Sequence, residues 1–312
     1  MLDRRNLLAG LGTTFALAAC GRGGGADTGL LRVGSQKGGT KALMLASGAL
    51  DGAPYKIEWS EFPAAQNLLE AIGSGAVDVG LAGDAPFQFA YQAGSPIKAI
   101  GAQTTQQRMP GAIAVVVPGA SPIRDAAGLR GKRVATTRGS VGHYLLLRAL
   151  LSAKLGLDDV KVTFLSPSDA RAALQTGAVD AWSTWQPYVA SAQAEGDRIA
   201  IDGRTLTQGY GFDVAWEGAI KDKQPLLADF LKREAKGLEW ASAHPDDFAK
   251  VLAQETGLPQ PIALEFVKTN ARIAVPIDQT LIGRQQVVLD TFRQFGEVKG
   301  DRPLADAFVL KA

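Results

Sequence analysis

Short apolar runs alternate along the chain with longer segments in which apolar residues recur at helical spacing. Leu31–Gly34 opens the series, and Tyr55–Trp59 alternates apolar and polar positions as a half-buried strand does. Strands that alternate with helices indicate an α/β fold with mostly parallel sheets. Further strands are predicted over residues 77–81, 97–101, 113–117, 132–136, 160–165, 181–184, 198–201 and 212–216.

The last part of the chain changes to a largely helical pattern from about Lys223. We expect these helices to pack around one lobe of the protein. They are predicted over residues 226–241, 245–255, 261–270 and 282–295.

Two loop-like breaks, Pro118–Pro122 and Gly203–Gly211, bracket the middle of the chain. A chain of 312 residues is too long for one typical domain and suits two lobes. Because the breaks bracket a middle segment, we expect the chain to leave the first lobe and later return to it. We therefore predict a discontinuous first lobe, residues 29–117 plus 212–312, and a second lobe, residues 118–211.

A weak internal repeat supports two related lobes. Leu69–Ile72 precedes Gly75–Asp78, and at the same offset Arg171–Leu174 precedes Gly177–Asp180. In both copies a helix ends at a glycine and a strand follows directly. Chance convergence of a common helix–glycine–strand unit is the alternative.

The N-terminus has the order of a secretory signal, with the basic pair Arg4 and Arg5, the apolar stretch Leu7–Ala16 and small residues before Cys20. The stretch is shorter than the roughly 20 apolar residues of a membrane-spanning helix. We therefore expect residues 1–19 to be removed as a signal peptide. The paired arginines fit a twin-arginine signal as well as a general one.

Leu17–Cys20 resembles the bacterial lipobox, in which the cysteine is diacylated and becomes the first residue of the mature chain. Cys20 is the only cysteine, so it has no disulfide partner within the chain. Residues 20–28 then form a lipidated and flexible tether. The pattern predicts a periplasmic lipoprotein, held at either the inner or the outer membrane. An ordinary signal with an incidental cysteine is the alternative.

Composition excludes several classes of function. The 33 basic and 31 acidic residues nearly balance, so no strong field concentrates nucleic acid. The chain has two histidines and contains no Walker-type motif, no Gly-x-Ser-x-Gly and no dinucleotide-binding glycine motif. We therefore expect no nucleic-acid partner, no catalytic residues, no cofactor and no metal.

Three strand-to-helix junctions carry small and polar residues, namely Ser35–Thr40, Gly83–Pro86 and Arg138–His143. Glycines let a backbone approach a ligand closely, and the first amides of the following helix are free to bind an anion. Ligands bind outside the carboxyl ends of strands in open parallel sheets, so we expect the junctions to face one cleft between the lobes. Ordinary helix caps and turns are the alternative for each junction.

Two tryptophans, Trp182 and Trp185, lie at the end of a predicted strand of the second lobe. We expect at least one of them to form the wall of an apolar pocket, and burial of both in the core is the alternative. His143 either donates a hydrogen bond to an anionic ligand or lies on the surface.

Taken in order, these motifs resemble the aliphatic sulfonate-binding proteins of ABC importers, a family that also includes taurine and nitrate binders. The specific motifs run from about Leu31 to about Tyr210. The resemblance implies a periplasmic-binding-protein fold, with two α/β lobes joined by two crossing strands and a ligand cleft between them. It is carried by Gln36-Lys37-Gly38, Phe62-Pro63-Ala64, Gly83-Asp84-Ala85-Pro86, Gly139-Ser140 with His143–Leu150, and Gly177–Trp182 with Trp185.

The resemblance also implies a ligand site, in which the three junctions hold the sulfonate head and the tryptophans contact the organic tail. Ser35 stands where this family commonly has an aromatic residue, which favours a bulkier or aromatic sulfonate over taurine. Asp84, in contrast, could pair with the ammonium group of taurine or simply cap its helix. The implied ligand-binding residues are Ser35, Gln36, Lys37, Gly83, Asp84, Ala85, Ser140, Val141, His143, Trp182 and Trp185.

The function implied is that of a lipid-anchored, monomeric substrate-binding protein without catalytic activity. It would capture a small organic anion, an alkane- or arylsulfonate, and deliver it to an ABC permease. The alternatives are binding of taurine, nitrate or a thiamine-pyrimidine precursor, a sensor subunit built on the same lobes, and a periplasmic enzyme of the same fold. Related biosynthetic enzymes draw on histidine- and cysteine-rich motifs that this chain lacks.

Overall fold

The computed structural model describes residues 29–310. They form two β-sheets with flanking helices, and the chain passes between the sheets twice, through residues 106–112 and 203–209. This is the two-lobed α/β fold predicted from the sequence. The predicted signal peptide, Cys20 and the tether lie outside the described residues. Within 29–310, no helix combines the length and apolarity that a membrane crossing requires.

The first sheet has six strands in the order β11-β4-β10-β3-β1-β2. Strands β1, β2 and β3 run parallel, whereas β10 is antiparallel to β3 and β4, and β11 is antiparallel to β4. Its strands are β1 Leu30–Gln36, β2 Lys56–Phe62, β3 Val79–Gly83, β4 Ile97–Thr105, β10 Tyr210–Trp216 and β11 Arg272–Val275.

The second sheet has five strands in the order β7-β6-β8-β5-β9. Strand β6 is parallel to β7 and β8, whereas β5 is antiparallel to β8 and β9. Both sheets are therefore mixed, not mostly parallel, because the strands that carry the chain between the lobes enter each sheet in the opposite direction. The strands are β5 Ile113–Val117, β6 Arg133–Thr136, β7 Lys161–Phe164, β8 Ala181–Trp185 and β9 Arg198–Asp202.

Eleven α-helices flank the two sheets within the described residues. The last four form where the sequence predicts a helical region, although the pattern did not reveal the short edge strand β11 between α10 and α11. The helices are α1 Thr40–Ser47, α2 Ala65–Gly73, α3 Asp84–Gln92, α4 Val141–Ser152, α5 Pro167–Gln175, α6 Tyr188–Ala194, α7 Glu217–Asp222, α8 Gln224–Ala243, α9 Pro245–Thr256, α10 Gln260–Thr269 and α11 Gln279–Gln294.

Strand β5 belongs to the second sheet, where it pairs with both β8 and β9. The predicted boundary after Val117 would leave this strand in the first lobe. The chain instead crosses before Ile113, because the largely buried run Ile113–Val117 lies between β8 and β9 in the second sheet. The turn at Pro118–Pro122 follows the strand and marks no passage between lobes.

The two copies of the internal repeat form the same contacts in the two lobes. The Asp78 carboxylate accepts hydrogen bonds from the Arg32 amide at 2.8 Å and from the Arg32 guanidinium at 2.6 Å. Asp180 accepts the equivalent bonds from Arg133, at 2.8 Å from the amide and 2.7 Å from the guanidinium. In each lobe, the repeated aspartate therefore ties the loop before one strand to the start of its parallel neighbour.

Helix α11 packs against α3 of the first lobe and α4 of the second. Phe292 on α11 has its ring 5.7 Å from that of Phe89 and 5.9 Å from that of Tyr144, measured between ring centres. Tyr144 and Leu147 of α4 consequently share a core cluster with residues of the first sheet. This shared apolar core fixes the lobes against each other beside the cleft.

Candidate functional site

A cavity of about 600 Å³ lies between the two sheets. Its walls come from the carboxyl ends of β1, β3 and β8, the start of α4 and both connecting segments. This position follows the rule that ligands of open α/β sheets bind outside the carboxyl ends of the strands. The predicted ligand-binding residues that line it are Gln36, Lys37, Gly83, Asp84, Ser140, Val141 and Trp185.

The loop after β1 contributes Gln36 and Lys37 to the cavity wall. The Gln36 side-chain amide donates a hydrogen bond to the Leu81 carbonyl at 2.9 Å, which fixes its orientation beside β3. Gly38 has a φ of 79°, a conformation that favours glycine and lets the loop turn into α1. The loop therefore holds the Gln36 side chain in a fixed orientation at the cavity and presents the exposed cation of Lys37.

Ser35 does not line the cavity, contrary to the prediction. Its side chain is buried, and its hydroxyl accepts a hydrogen bond from the Lys41 amide at 3.1 Å while donating to the Gln36 carbonyl at 3.1 Å. Ser35 therefore stabilises the start of α1. Its small size gives a ligand no additional room.

The junction between β3 and α3 brings Gly83 and Asp84 to the cavity, but not Ala85. Ala85 is fully buried, and its amide donates to Asp84 Oδ1 at 2.8 Å. Pro86 has no amide hydrogen, and the Ala85 amide already donates to Asp84. Few amide donors at this helix start therefore remain free for a ligand. The second lobe closes over the junction, since a Cβ added at Gly83 would lie 2.7 Å from Val141 Cγ1.

Asp84 is the most unusual group in the cavity. The residue is 3% exposed, and within residues 29–310 its Oδ2 atom has no hydrogen-bond partner. Burial raises the pKa of Asp84 to about 6, and the Ala85 amide, Arg272 and Arg108 oppose this increase. A buried carboxylate with a free oxygen is costly unless it is neutral or meets a donor. Asp84 is therefore poised near its midpoint under mildly acidic conditions.

The start of α4 is the second-lobe wall of the cavity. Ser140 is the N-cap, and its hydroxyl accepts a hydrogen bond from the His143 amide at 3.0 Å. Ser140 and Val141 both line the cavity. The first amides of a helix have no intrahelical acceptor, and the helix dipole places partial positive charge there. This end of α4 can therefore receive an anion.

His143 lies in the core behind this helix start, not at the cavity. Its Nδ1 atom accepts a hydrogen bond from the Gly139 amide at 3.1 Å, and its ring packs edge-on against Phe164 and Phe292. Burial, together with the nearby Arg138 charge, lowers the pKa of His143 to about 3. His143 is therefore a neutral packing residue, which corrects its predicted role as a ligand donor.

Only one of the two predicted tryptophans reaches the cavity. Trp185 lines it and packs edge-on against Tyr188 at 5.7 Å between ring centres. Trp182 is fully buried in the core of the second lobe. The two residues are an odd number of positions apart on β8, so they point to opposite faces of the sheet. The prediction that Trp182 contacts the ligand is thereby corrected.

Two arginines that the sequence pattern did not reveal, Arg108 and Arg272, supply positive charge to the cavity. Arg108 lies in the first connecting segment and approaches the Thr207 hydroxyl of the second at 3.5 Å. Arg272 begins β11, and its guanidinium donates to the Gly209 carbonyl at 3.2 and 3.4 Å. Burial lowers the pKa of both arginines. The pKa of a free arginine is so high that both side chains stay charged at neutral pH.

A pair of buried acids, Asp213 and Glu234, lies behind Arg272. Glu234 borders the cavity and accepts a hydrogen bond from the Thr40 hydroxyl at 3.1 Å, and Asp213 accepts one from Gln103 at 3.3 Å. Burial and the Asp213 charge raise the pKa of Glu234 well above its usual range. Burial and the neighbouring carboxyl group therefore favour the protonated form of Glu234.

The lobes touch across the mouth of the cavity. The Tyr188 hydroxyl donates to the Pro63 carbonyl at 3.3 Å, and the Gln66 side chain donates to the Arg138 carbonyl at 3.0 Å. Each bond joins one lobe to the other. The structure therefore has the lobes closed around the cavity, as in a protein that encloses a small ligand.

Two mixed α/β lobes, two connecting segments and an enclosed cleft with helix starts and arginines define a solute-binding protein. Comparison with known proteins supports this class. Residues 57–248 match the family model described as NMT1/THI5 like. A protein of Escherichia coli (strain K12) named as an aliphatic sulfonates-binding protein is 34% identical over 285 residues, which cover 90% of this chain and 87% of that protein. The chain therefore belongs to the aliphatic sulfonate-binding protein family.

Solved structures agree with this assignment. The alkanesulfonate-binding protein SsuA from Xanthomonas axonopodis pv. citri, bound to MOPS, superimposes with a TM-score of 0.84 at 31% identity, covering 91% of this chain and 99% of that one. The aliphatic sulphonate-binding protein SsuA from Escherichia coli gives a TM-score of 0.77 at 33% identity, with coverage of 89% and 96%. The desulfurization enzyme DSZB, at a TM-score of 0.65 and 19% identity, shares the fold.

Proposed function

We propose that the protein captures an organosulfonate in the interlobe cavity and delivers it to an ABC permease. The observation that carries this proposal is the meeting of the α4 start, Arg108 and Arg272 in one enclosed cavity. A sulfonate has one negative charge and three acceptor oxygens, which amides and guanidinium groups can satisfy together. The family assignment supports the same ligand class.

Arg272 is the charge best placed to test this site. Replacing one charged hydrogen-bond donor to an anion should weaken binding by about ten- to a hundredfold, from the value of such a bond. Arg272→Gln retains a polar side chain but removes the charge that faces Asp84, Asp213 and Glu234. We therefore expect a large loss of sulfonate affinity in this variant, measured by isothermal titration calorimetry with ethanesulfonate.

The matched control is Arg124→Gln, the same substitution at an exposed arginine outside the cavity. Arg124→Gln should leave the dissociation constant for ethanesulfonate within about twofold of the wild-type value. The melting temperatures of both variants should show that each one is folded. The same titrations with taurine, nitrate, sulfate and a thiamine-pyrimidine precursor compare the competing ligands. Absence of binding by the wild-type protein to every sulfonate, or equal affinities of the two variants, would contradict the proposal.

The location follows from the N-terminal sequence in this proposal. Cleavage before Cys20 and lipidation of that cysteine would hold a monomeric receptor at a periplasmic membrane surface. The tether up to Thr28 leaves the lobes free to reach the permease while raising their effective concentration near it. In this proposal, the lipid anchor keeps the receptor close to the permease that takes up its ligand.

A further inference from the structure

A second cavity, of about 360 Å³, adjoins the first one. It lies within the first lobe, between α8 and the strands β4, β10 and β11. Lys232 of α8 and Ala274 of β11 are exposed residues of its wall, so the second cavity opens to solvent beside them. Gln103 and Glu234 line both cavities. A single layer of side chains therefore separates the second cavity from the interlobe cleft.

The wall of the second cavity carries the buried acids Asp213 and Glu234. Asp213 Oδ1 accepts a hydrogen bond from Gln103 at 3.3 Å, and Glu234 Oε1 accepts one from the Thr40 hydroxyl at 3.1 Å. Gly101 also lines this cavity, and a Cβ added there would lie 2.5 Å from Asp213 Oδ2. The glycine therefore leaves room beside the second oxygen of the Asp213 carboxylate.

Gln103 adds a third oxygen-bearing side chain to this wall. The residue is 2% exposed, and its Oε1 atom has no hydrogen-bond partner among residues 29–310. A buried acceptor of this kind is destabilising unless it meets a donor or a cation. Carboxylate and carbonyl oxygens are the ligands that hard cations prefer. The second cavity therefore has the oxygen donors of a cation site.

The charges around the second cavity indicate a monovalent cation. Asp213 and Glu234 carry two negative charges when both are ionised, and Arg272, which interacts with both, supplies one positive charge. One further positive charge balances the group. A proton on Glu234 is one source of that charge, and a bound monovalent cation is the other. Within the described residues, no cluster of three or more His, Cys, Asp or Glu side chains forms a site for a more highly charged metal ion.

We propose that the second cavity binds one hydrated alkali cation, Na⁺ or K⁺, beside Asp213, Glu234 and Gln103, and that this cation strengthens anion binding in the first cavity. The cation offsets the negative charge that otherwise attracts Arg272, so the Arg272 charge becomes more available to an anion in the cleft. Lys232 at the mouth is exposed, and solvent screens its charge. The coupling to the anion rests on the proposed sulfonate-binding function, whereas the cation site does not.

Thermal unfolding of the ligand-free protein tests the cation site. The salts are NaCl, KCl and choline chloride, each at about 150 mM and about pH 8, so that ionic strength is equal and a proton competes less for the acids. Choline has no inner-sphere contact to offer to a carboxylate. A dissociation constant of about 10 mM for the alkali cation should raise the melting temperature by about 3–6 °C relative to choline chloride.

Asp213→Asn should lose most of this shift, because Glu234 and Arg272 then balance each other. Asp213 lines the second cavity but not the first, so the substitution leaves the wall of the cleft unchanged. Asp222→Asn is the matched control, the same substitution at an exposed aspartate outside both cavities, and it should retain the shift. If Asp213→Asn fails to fold, Glu234→Gln removes the other carboxylate and gives the second test.

Calorimetry with ethanesulfonate in the same salts tests the coupling. The wild-type protein should bind ethanesulfonate about fivefold or more tightly in the stabilising alkali salt than in choline chloride. Asp213→Asn should bind it equally in both salts, because the variant has lost the cation.

The outcomes separate the cation site, the coupling and the proposed function. A wild-type melting temperature that is the same in all three salts, or an alkali-cation shift that persists in Asp213→Asn, would overturn the cation site. A shift without any change in ethanesulfonate affinity would overturn the coupling and leave the site intact. If no sulfonate binds in any salt, the proposed function fails, and the thermal shift still decides whether the cation site exists.

Discussion

Replacing Asp84 by asparagine should stabilise the protein at neutral pH. Burial raises the pKa of Asp84 from 3.8 to about 6, so the folded state holds this proton more tightly than the unfolded chain. At about pH 3, below both pKa values, the group is mostly neutral in both states and costs little. As the pH rises towards 6, the unfolded chain ionises first and stability falls. A difference of about two pKa units corresponds to about 3 kcal/mol lost above pH 6.

Asparagine removes this loss because it is neutral at every pH and its amide oxygen can keep the bond from the Ala85 amide. Asp84→Asn should therefore raise the free energy of unfolding at about pH 7.5 by up to about 3 kcal/mol and leave it nearly unchanged at about pH 3. The melting temperature should rise by about 5–10 °C at the higher pH. Urea denaturation at the two pH values measures the difference directly. A variant that is less stable at neutral pH, or equally shifted at both, would refute the reasoning.

The same carboxylate should also affect ligand binding. Arg108, Arg272 and Tyr144 are the charged and titratable groups that interact with Asp84. A bound sulfonate adds negative charge nearby and favours the protonated form of Asp84, so wild-type affinity for ethanesulfonate should fall as the pH rises from about 5 to about 8. Asp84→Asn should remove most of this dependence. Weaker binding by the variant at all pH values would show that Asp84 accepts a donor from the ligand.

Two further predictions concern the tryptophans and the anchor. Trp182→Ala should cost about 3–5 kcal/mol of unfolding free energy, because it leaves a cavity in the core of the second lobe. Trp185→Ala should change stability less and should weaken ligand binding. Denaturation and calorimetry of both variants measure the two effects. Equal effects of the two substitutions would contradict the placement of Trp182 in the core and of Trp185 at the cavity. Cys20→Ser should move the protein from the membrane fraction to the soluble fraction of the cell, and continued sedimentation with membranes would contradict a lipid anchor at this residue.

Periodicity predicted the strands well because strand formation in a buried sheet depends on local apolar runs. All strands predicted from such runs are present within the described residues. The exception, β11, is an edge strand of four residues, none of which is buried, so its apolar run is too short to stand out from the helical segments on either side. Assignment of β5 to a lobe failed for a different reason. A local run shows that a strand exists, but its neighbours are chosen by long-range pairing.

All three predicted junctions reach the cavity, but not every side chain in them lines it. The junction after β6 reaches the cavity, yet successive positions in it face different surroundings: Ser140 and Val141 meet the cavity and His143 meets the core. A helix turns by about 100° per residue, so Val141 and His143, two positions apart in α4, face nearly opposite directions. Motif membership therefore locates a binding region, and only the geometry decides which side chains contact a ligand.

The charges of the cavity come from segments that are far apart in sequence, which explains why no motif revealed them. Asp84 begins α3, Arg108 lies in the first connecting segment and Arg272 begins β11, and the fold brings all three into one electrostatic environment. We expect an aspartate that lowers stability beside two arginines to serve the site, because functional sites commonly trade stability for activity. A partly compensated positive charge suits a monoanion such as a sulfonate better than a dianion such as sulfate. In the proposed function, the aspartate that lowers stability therefore also sets the charge that the ligand meets.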